Sequence, residues 1–142
     1  MKKLILILSI FFFHSLQAEE FLGIPKVVDG DTIYIASNKI RLKDIDAPEM
    51  KQKCERRKVD YFCGIEAKNQ LKKKINMSKI KCISSGKDRY NRYLATCFKG
   101  NINLNKWMVR NGFALAYRRY SKSYVEDENF AKDSNLGLWA GS

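Results

Sequence analysis

Five carboxylates and one arginine are concentrated in the segment 28–49, which reads VDGDTIYIASNKIRLKDIDAPE. The acidic residues are Asp29, Asp31, Asp44, Asp46 and Glu49, and the arginine is Arg41. They stand out because the chain as a whole is basic, with 27 Lys and Arg against 15 Asp and Glu. Carboxylate oxygens are the ligands that hard cations such as calcium and magnesium prefer. The segment is therefore where we expect the chemistry of this protein to lie.

Residues 1–18 have the order of a secretory signal peptide. Lys2 and Lys3 precede an apolar run over residues 4–13, and the small residue Ala18 is followed by two glutamates. The apolar run is short for a membrane span, although an uncleaved anchor is the alternative interpretation. We expect a secreted or periplasmic protein that has no stable membrane association after cleavage. The remaining residues 19–142 are long enough for one domain with one core.

The positive charge favours a polyanionic partner. Without Lys2 and Lys3 the count becomes 25 basic and 15 acidic residues, so the net charge falls from +12 to +10. Contacts to phosphates release counterions from nucleic acid, and a basic protein gains from this release. Charge alone does not decide the function, because a lysine run such as 72–74 is also typical of a solvated helix face.

All four cysteines follow the expected leader, at Cys54, Cys63, Cys82 and Cys97. Export through an oxidising compartment predicts two disulfides. The sequence permits three pairings, and spacing favours Cys54 with Cys63 and Cys82 with Cys97. A zinc site made of four thiolates is the rival interpretation, but the two-residue spacing of a zinc knuckle is missing.

The elements that must position these residues are predicted from turn signals and apolar periodicity. Strands are expected at residues 21–28, 32–35, 39–45, 80–83 and 93–98. Helices are expected from 64 to 75, from the N-cap Asn103 through 111, and from a capping box at Ser123 and Glu126 to about 136. Residues 50–63 are expected to form a polar loop. Five antiparallel strands with three helices packed outside predict an α+β fold built on a Greek-key OB-type barrel.

Four sequence blocks resemble the thermonuclease, or staphylococcal nuclease, family. They are DGDT at 29–32, RLKDIDAPE at 41–49, DRYNRYLA at 88–95 and LGLW at 136–139. The blocks occur in family order and at family spacing over nearly the whole of residues 19–142. The resemblance implies a calcium-dependent nuclease that hydrolyses phosphodiester bonds of DNA and RNA with little sequence preference and leaves 3′-phosphate ends.

The resemblance also implies a metal site. Asp31 and Asp46 match the calcium-binding carboxylates of the family, and Ala47 matches the residue whose backbone carbonyl binds calcium. Ala47 stands where the family usually has threonine, which matters little if only the carbonyl is a ligand. We therefore expect Ca²⁺ as the cofactor.

The catalytic residues implied by the resemblance are Arg41, Glu49 and Arg92. A guanidinium can donate forked hydrogen bonds to a phosphate, which a lysine cannot. Glu49 follows the rigid Pro48 and could act on a water molecule as general base, or it could mainly order its loop. Asn91 stands where glycine is usual before the arginine, and asparagine tolerates a left-handed backbone.

Substrate contacts are expected from Tyr117 and Tyr120, which lie where the family has tyrosines that contact nucleotide. Tyrosine rings can stack on bases without sequence preference, but surface packing is an equally open role for either ring. Arg89 is expected to attract substrate from the rim of the site. We expect a monomer that acts on DNA and RNA, with single-stranded or denatured substrate favoured.

A nucleic-acid-binding OB module without catalysis is the main alternative. Nuclease-like domains that have lost their activity usually lack one or more of the arginines or carboxylates, and none of the five is missing here. A structural secreted protein that binds anionic envelope polymers is a third possibility, which would leave the clustered carboxylates unexplained.

Overall fold

The computed structural model of the protein describes residues 18–141 and consists of a curled mixed β-sheet with three α-helices. The strands are β1 (Glu19–Gly23), β2 (Lys26–Val27), β3 (Thr32–Ile35), β4 (Asn38–Leu42), β5 (Ile45–Asp46), β6 (Cys54–Arg56), β7 (Val59–Tyr61), β8 (Ile80–Lys87), β9 (Tyr93–Lys99), β10 (Ile102–Asn103) and β11 (Leu115–Ala116). The helices are α1 (Cys63–Ile75), α2 (Leu104–Arg110) and α3 (Val125–Asp133), followed by a short 3-10 helix (Gly137–Trp139). The α+β class with three helices is confirmed.

The expected leader covers residues 1–18 and, except for Ala18, lies outside the described residues. Within residues 18–141, no helix has both the length and the apolar character needed to cross a membrane.

The main sheet has the strand order β1-β8-β9-β4-β3-β2, with β10 paired to β9. It curls into the half-barrel that the OB-type prediction requires, and two small ladders, β5 with β11 and β6 with β7, are added to it. The expectation that every strand is antiparallel was wrong. β4 and β9 run parallel, with Ile40 opposite Tyr93 and Leu42 opposite Ala95. This parallel pair brings the Arg41 segment beside the strand that follows Arg92.

The first predicted strand, 21–28, is two strands in the structure. The chain leaves the sheet at Ile24 and Pro25, and proline cannot donate a hydrogen bond to a ladder. As a result β1 pairs with β8, whereas β2 pairs with β3 on the opposite edge of the sheet.

Both predicted disulfides are confirmed. Cys82 and Cys97 face each other across the β8 and β9 ladder, and neither is exposed. Cys54 and Cys63 close the segment that we expected to be a plain loop, which instead contains the β6 and β7 hairpin. By chain-entropy arithmetic, a loop of this size contributes about 3 kcal/mol to stability.

The helices follow their apolar periodicity. In α1 the buried residues include Ala67, Leu71 and Ile75, as their spacing of four predicts. The α2 helix is capped by Asn103, whose side chain accepts a hydrogen bond from the Lys106 N–H at 3.0 Å. The core combines these apolar faces with the inward side chains of the sheet. Its fully buried members include Ile33, Ile40, Leu42, Ile80, Leu104 and Met108.

The capping box predicted at Ser123 was wrong. α3 begins two residues later, and Tyr124 at its N-cap supplies no side-chain hydrogen bond. The Ser123 N–H and hydroxyl both bond to the Ser121 hydroxyl, at 3.0 and 2.7 Å. Local side-chain hydrogen bonds of this kind compete with helix capping. Here Ser123 bonds to Ser121 in the turn before α3 and does not cap the helix.

Asn105 ties α2 to the sheet. It is fully buried, and its side-chain oxygen accepts from the Cys97 N–H at 3.1 Å. Its amide group donates to the carbonyls of Ala95 and Lys43 at 3.0 and 2.9 Å. A buried amide with all these partners fixes the helix against β9 and against the turn after β4.

Glu128 ties α3 to β11. Its buried carboxylate accepts from the Ala116 N–H at 3.2 Å and from the Arg118 Nε at 3.0 Å, and Lys132 lies 3.4 Å away. Burial alone would raise the pKa of Glu128, but the hydrogen bonds from Arg118 and the charges of Lys132 and Arg118 outweigh it, so the pKa is lowered. The folded state therefore favours the ionised carboxylate.

We predict that Glu128→Gln lowers the free energy of unfolding by about 2 kcal/mol at pH 7, because it removes charge-assisted hydrogen bonds from a buried site. A group whose pKa is lowered by folding stabilises the protein above its unfolded pKa, and this contribution is lost as the pH falls through the folded-state pKa. The difference between variant and wild type should therefore shrink below about pH 4.5. Urea denaturation at pH 7 and pH 3 measures it.

Glu126→Gln is the matched control, because it removes the same charge from an exposed position on the same helix. It should change the free energy of unfolding by less than about 0.5 kcal/mol. Equal effects of the two substitutions at pH 7 would contradict the role given to Glu128.

Candidate active site

Arg41 lies between two of the predicted metal-binding carboxylates. Its Nη1 is 3.2 Å from Asp31 Oδ2, and its Nη2 is 3.6 Å from Asp46 Oδ1. The Arg41 side chain is 12% exposed, and the side chains of Asp31 and Asp46 are 10% and 51% exposed, so the group reaches from the barrel wall to the solvent. Two carboxylates that share one guanidinium converge on one place, as the sequence predicted.

Strand register explains why these residues meet. Thr32, the first residue of β3, pairs with Arg41 on β4, so Asp31, the residue before β3, lies beside the arginine. Side chains alternate across a strand, and Arg41 therefore points away from Ile40 and Leu42, which are both buried.

The turn before β3 holds Asp31 in place. The Asp29 carboxylate accepts from the Asp31 N–H at 3.0 Å, so Asp29 serves the turn, as its DG sequence indicated. A Cβ on Gly30 would lie 2.7 Å from the Ala47 Cβ and 2.8 Å from the Ala67 Cβ, so only glycine permits this close packing. Asp31 Oδ2 accepts a hydrogen bond from the Ala47 N–H at 2.8 Å, which joins the turn before β3 to the segment after β5.

Burial raises the pKa of Asp31 to about 7, although the Arg41 charge and the Ala47 N–H act in the opposite direction. The nearby Asp29 carboxylate adds to the increase. The fold thus keeps a carboxylate where its charged form is poorly solvated, which is frequent at functional sites.

The available oxygen donors suit a hard cation that needs only a few ligands from the protein. Asp31 and Asp46 offer carboxylate oxygens, and Ala47, between Asp46 and the buried Pro48, offers a backbone carbonyl. In the part of the chain that the structure describes, no three His, Cys, Asp or Glu side chains converge as a metal cluster. A cation here would take its remaining ligands from water or substrate, as calcium and magnesium accept.

Arg92 is held by the turn between β8 and β9. Its Nε donates to Asp88 Oδ2 at 2.7 Å, and its backbone N–H donates to Asp88 Oδ1 at 3.0 Å. Burial acts to raise the pKa of Asp88, but the hydrogen bonds from Arg92 and from the Tyr90 N–H outweigh it and lower the pKa. Asn91 has a φ of 62°, so it adopts the left-handed backbone that we expected asparagine to tolerate in place of glycine.

A cleft of about 520 Å³ joins the two arginines. The sequence-predicted residues that line it are Arg41, Arg89, Arg92, Tyr117 and Tyr120. Asp44, which we expected in a strand, also lines the cleft from a turn in which its φ is 64°. The structure therefore brings five predicted residues from separate segments into one cavity, with Asp31 and Asp46 attached to it through Arg41.

The two tyrosines form one unit on the wall of the cleft. Their rings meet edge to face with centroids 4.7 Å apart, and Tyr120 is 69% exposed. Between them in sequence, Arg118 is tied to Glu128 on α3, and the Tyr117 N–H donates to the Asp44 carbonyl at 2.9 Å. The rings are thus presented by a fixed backbone.

Glu49, like Asp31, Asp46 and Ala47, is not part of the lining of the cleft, and unlike the two aspartates it forms no ion pair with Arg41. It is exposed on the irregular segment after Pro48 and is the third residue after Asp46. Its backbone N–H donates to the Gln52 side chain at 3.1 Å, and its carbonyl accepts from the Gln52 N–H at 2.9 Å.

Sequence reasoning missed three residues of this region. Tyr90 lines the cleft with 64% of its surface exposed, and the guanidinium groups of Arg89 and Arg92 lie 4.9 and 5.4 Å from its ring centre. Asp88 holds Arg92, and Glu128 holds the tyrosine segment. Tyr90 and Asp88 could have been found as members of the DRYNRYLA block, whereas nothing local to Glu128 signals its distant partner.

Comparison with known proteins gives a consistent result. Residues 39–141 match the family model described as "Staphylococcal nuclease homologue". The chain is 36% identical over 126 residues to the succinoglycan biosynthesis protein ExoI of Rhizobium meliloti, covering 86% of this chain and 66% of that protein. It is 33% identical over 124 residues to a Haemophilus influenzae protein named "Uncharacterized endonuclease", covering 82% and 65% of the two chains.

A third relative is the micrococcal nuclease of Shigella flexneri, with 31% identity over 134 residues that cover 82% of this chain and 72% of that protein. The chain spans about two thirds of the length of the first two relatives, at 66% and 65%. The family model nevertheless covers most of the present sequence, including Arg41 on β4, the loop that carries Glu49 and the turn that carries Arg92. On this match, and on the barrel and cleft described above, the chain belongs to the staphylococcal nuclease family.

Proposed function

We propose that this protein is a calcium-dependent nuclease that hydrolyses phosphodiester bonds in DNA and RNA. The observation that carries the proposal is the arrangement of two guanidinium groups in one cleft, with the Asp31 and Asp46 carboxylates directly attached to one of them. A phosphodiester is anionic, and the oxygens bound to phosphorus gain further negative charge during hydrolysis. A site that catalyses the reaction must therefore supply fixed positive charge and a positioned water molecule.

The two arginines would bind the phosphate from two sides. Arg92 commits its Nε to Asp88, which leaves its terminal nitrogens to donate to a phosphate oxygen. Arg41 is oriented by its two aspartates and by its Nη1 bond to the Leu42 carbonyl at 2.9 Å. Preorganised donors of this kind do not have to reorient during the reaction, which is where their catalytic value lies.

Asp31, Asp46 and the Ala47 carbonyl would hold calcium. When bound, the ion would neutralise charge on a phosphate oxygen and help to orient water. Glu49 would accept a proton from the attacking water as general base, since it lies on the loop that begins at the metal-binding residues. Product ends would be 3′-phosphates, as in the resemblance described above.

The exposed tyrosines favour single-stranded or denatured substrate. Tyr117 and Tyr120 can stack on unpaired bases, and Arg89 would attract the phosphate chain to the rim. Stacking does not read base identity, so little sequence preference follows. With residues 1–18 as a cleaved leader, the protein would act as a monomer in the periplasm or outside the cell.

We predict that the purified protein releases acid-soluble nucleotides from denatured DNA and from RNA when calcium is present, and that a chelator abolishes the release. The physical reason is that two arginines alone cannot balance the charge of the metal-binding carboxylates and of the phosphate together. Persistent binding in chelator, combined with no cleavage under any divalent metal, would instead support the non-catalytic binding module.

We predict that Glu49→Gln lowers kcat by at least about 100-fold, because an amide cannot accept the proton of the attacking water. The exposed position of Glu49 means that the melting temperature should stay unchanged. Steady-state cleavage of denatured DNA and a thermal melt measure the two quantities. A variant with nearly normal turnover would remove Glu49 from the mechanism.

We predict that Arg92→Lys lowers kcat by about 100-fold, because an ammonium cannot hold Asp88 and also bind phosphate in a forked geometry. Arg89→Lys on the same turn is the matched control, and it should lose only a few-fold because a point charge suffices at the rim. A loss of only a few-fold from Arg92→Lys as well would show that charge alone, and not the geometry of Arg92, matters at this turn.

A further inference from the structure

We propose that the Cys54–Cys63 disulfide and Gln52 form a clamp that positions Glu49, so that turnover depends on this disulfide being intact. The inference rests on the proposed function, because it assigns to the clamp a part in catalysis by Glu49. Gln52, Cys54 and Cys63 are positioning residues in this account and do not touch the substrate.

Glu49 needs such a device because its own side chain has none. Within residues 18–141 the Glu49 carboxylate forms no ion pair or side-chain hydrogen bond, and the segment 47–53 has no helix or strand. If the backbone of this segment were mobile, the exposed carboxylate would spend little time in the orientation that a general base needs. Its direction must therefore be set through the backbone.

Gln52 holds that backbone at two points. The Gln52 side-chain oxygen accepts from the Glu49 N–H at 3.1 Å, and the Gln52 N–H donates to the Glu49 carbonyl at 2.9 Å. The same carbonyl lies against α1. A Cβ on Gly64 would overlap the Glu49 carbonyl oxygen, so glycine is required for the loop to approach the first turn of the helix.

The disulfide in turn holds Gln52. The Cys63 sulfur lies 3.5 Å from the Gln52 carbonyl oxygen, and the Cys54 sulfur lies 4.0 Å from the Gln52 side-chain nitrogen. The Cys63 sulfur carries no proton in the disulfide, so it only packs against the Gln52 carbonyl, whereas the Cys54 sulfur accepts a weak hydrogen bond from the Gln52 amide. The residue is thus placed between the two sulfurs. The bond also ties the hairpin to Cys63, the first residue of α1, immediately before Gly64.

The two disulfides differ in exposure. Cys82 and Cys97 are fully buried in the barrel wall, whereas Cys54 is half-buried beside the exposed loop. Thiol–disulfide exchange requires access of the attacking thiolate to a sulfur, so the Cys54–Cys63 bond is the one that a reductant reaches in the folded protein. A dithiol would give two electrons and two protons to the bond, leaving two cysteine thiols and an oxidised cyclic disulfide of the reagent.

The first test uses variants of the oxidised full chain in calcium. Cys54→Ala/Cys63→Ala and Gln52→Leu should each lower kcat for denatured DNA by about 10- to 100-fold, because small misplacements of a catalytic group have effects of this size. KM should change less than three-fold, since the arginines and tyrosines of the cleft are untouched. Gln52→Glu keeps the acceptor for the Glu49 N–H and should retain most of the turnover.

Cys82→Ala/Cys97→Ala is the matched control. It removes a disulfide of similar loop length that does not contact the Glu49 loop, so it should lower the melting temperature while leaving kcat nearly unchanged below the melting transition. Equal losses of kcat in the two double variants would overturn the clamp in favour of a general loss of stability. Turnover within two-fold of wild type in both Cys54→Ala/Cys63→Ala and Gln52→Leu would overturn it as well.

The second test does not depend on activity. Amide hydrogen exchange at Glu49 should be slow in the wild type and should accelerate at least ten-fold in Cys54→Ala/Cys63→Ala and in Gln52→Leu. The Lys106 amide, which bonds to Asn103, should keep its rate. Unchanged exchange at Glu49 overturns the clamp. If exchange accelerates but neither the wild type nor any variant cleaves nucleic acid under any divalent metal, the clamp on the backbone stands and the proposed function fails.

Dithiol treatment of the folded wild type supplies a third test. Turnover should fall in step with alkylation of Cys54, and Cys54→Ala/Cys63→Ala should show no further loss. A wild type that keeps its full rate after both Cys54 and Cys63 have been alkylated would overturn the proposal.

Discussion

The structure depends on one arrangement of charge, in which a single guanidinium lies between two carboxylates at the mouth of a curled sheet. Arg41 can reach both Asp31 and Asp46 only if β3 and β4 keep their register, because a shift by one residue would turn the arginine into the core and Ile40 into the solvent. The buried apolar side of these strands enforces that register. The same packing that stabilises the barrel therefore also decides where the charges of the site are placed.

Around this centre, several parts of the cleft are held by hydrogen bonds, some within one turn and some from distant helices. Asp88 fixes Arg92 within its turn, and Glu128 on α3 binds the Ala116 N–H and the side chain of Arg118, which lies between the two tyrosines. Asn105 on α2 bonds to the Lys43 carbonyl and so supports the turn that carries Asp44. Helices that lie outside the cleft thus act on it through buried hydrogen bonds. Such bonds are costly to leave unsatisfied, and this makes the geometry of the cleft hard to deform.

Much of this could be predicted from sequence, because local patterns carry it. The amphipathic period of α1, the Asn103 cap and the DG turn are properties of neighbouring residues, and the family blocks contain both arginines that line the cleft. Most of what was not predicted depends on residues that are far apart in the sequence. The pairing of β4 with β9 is parallel, and the alternation of side chains along a single strand does not specify which strand will be its partner. The Ser123 cap is the local exception, because the Ser121 hydroxyl bonds to Ser123 instead. Glu128 was missed because its hydrogen bonds to Arg118 and Ala116 join it to a segment that precedes its helix.

The parallel pairing has a consequence for the way the protein is made. It joins a strand from the first half of the chain to one from the second half, and the tyrosine wall is added later still by β11 and α3. No growing polypeptide that lacks its last helix can therefore assemble the complete cleft.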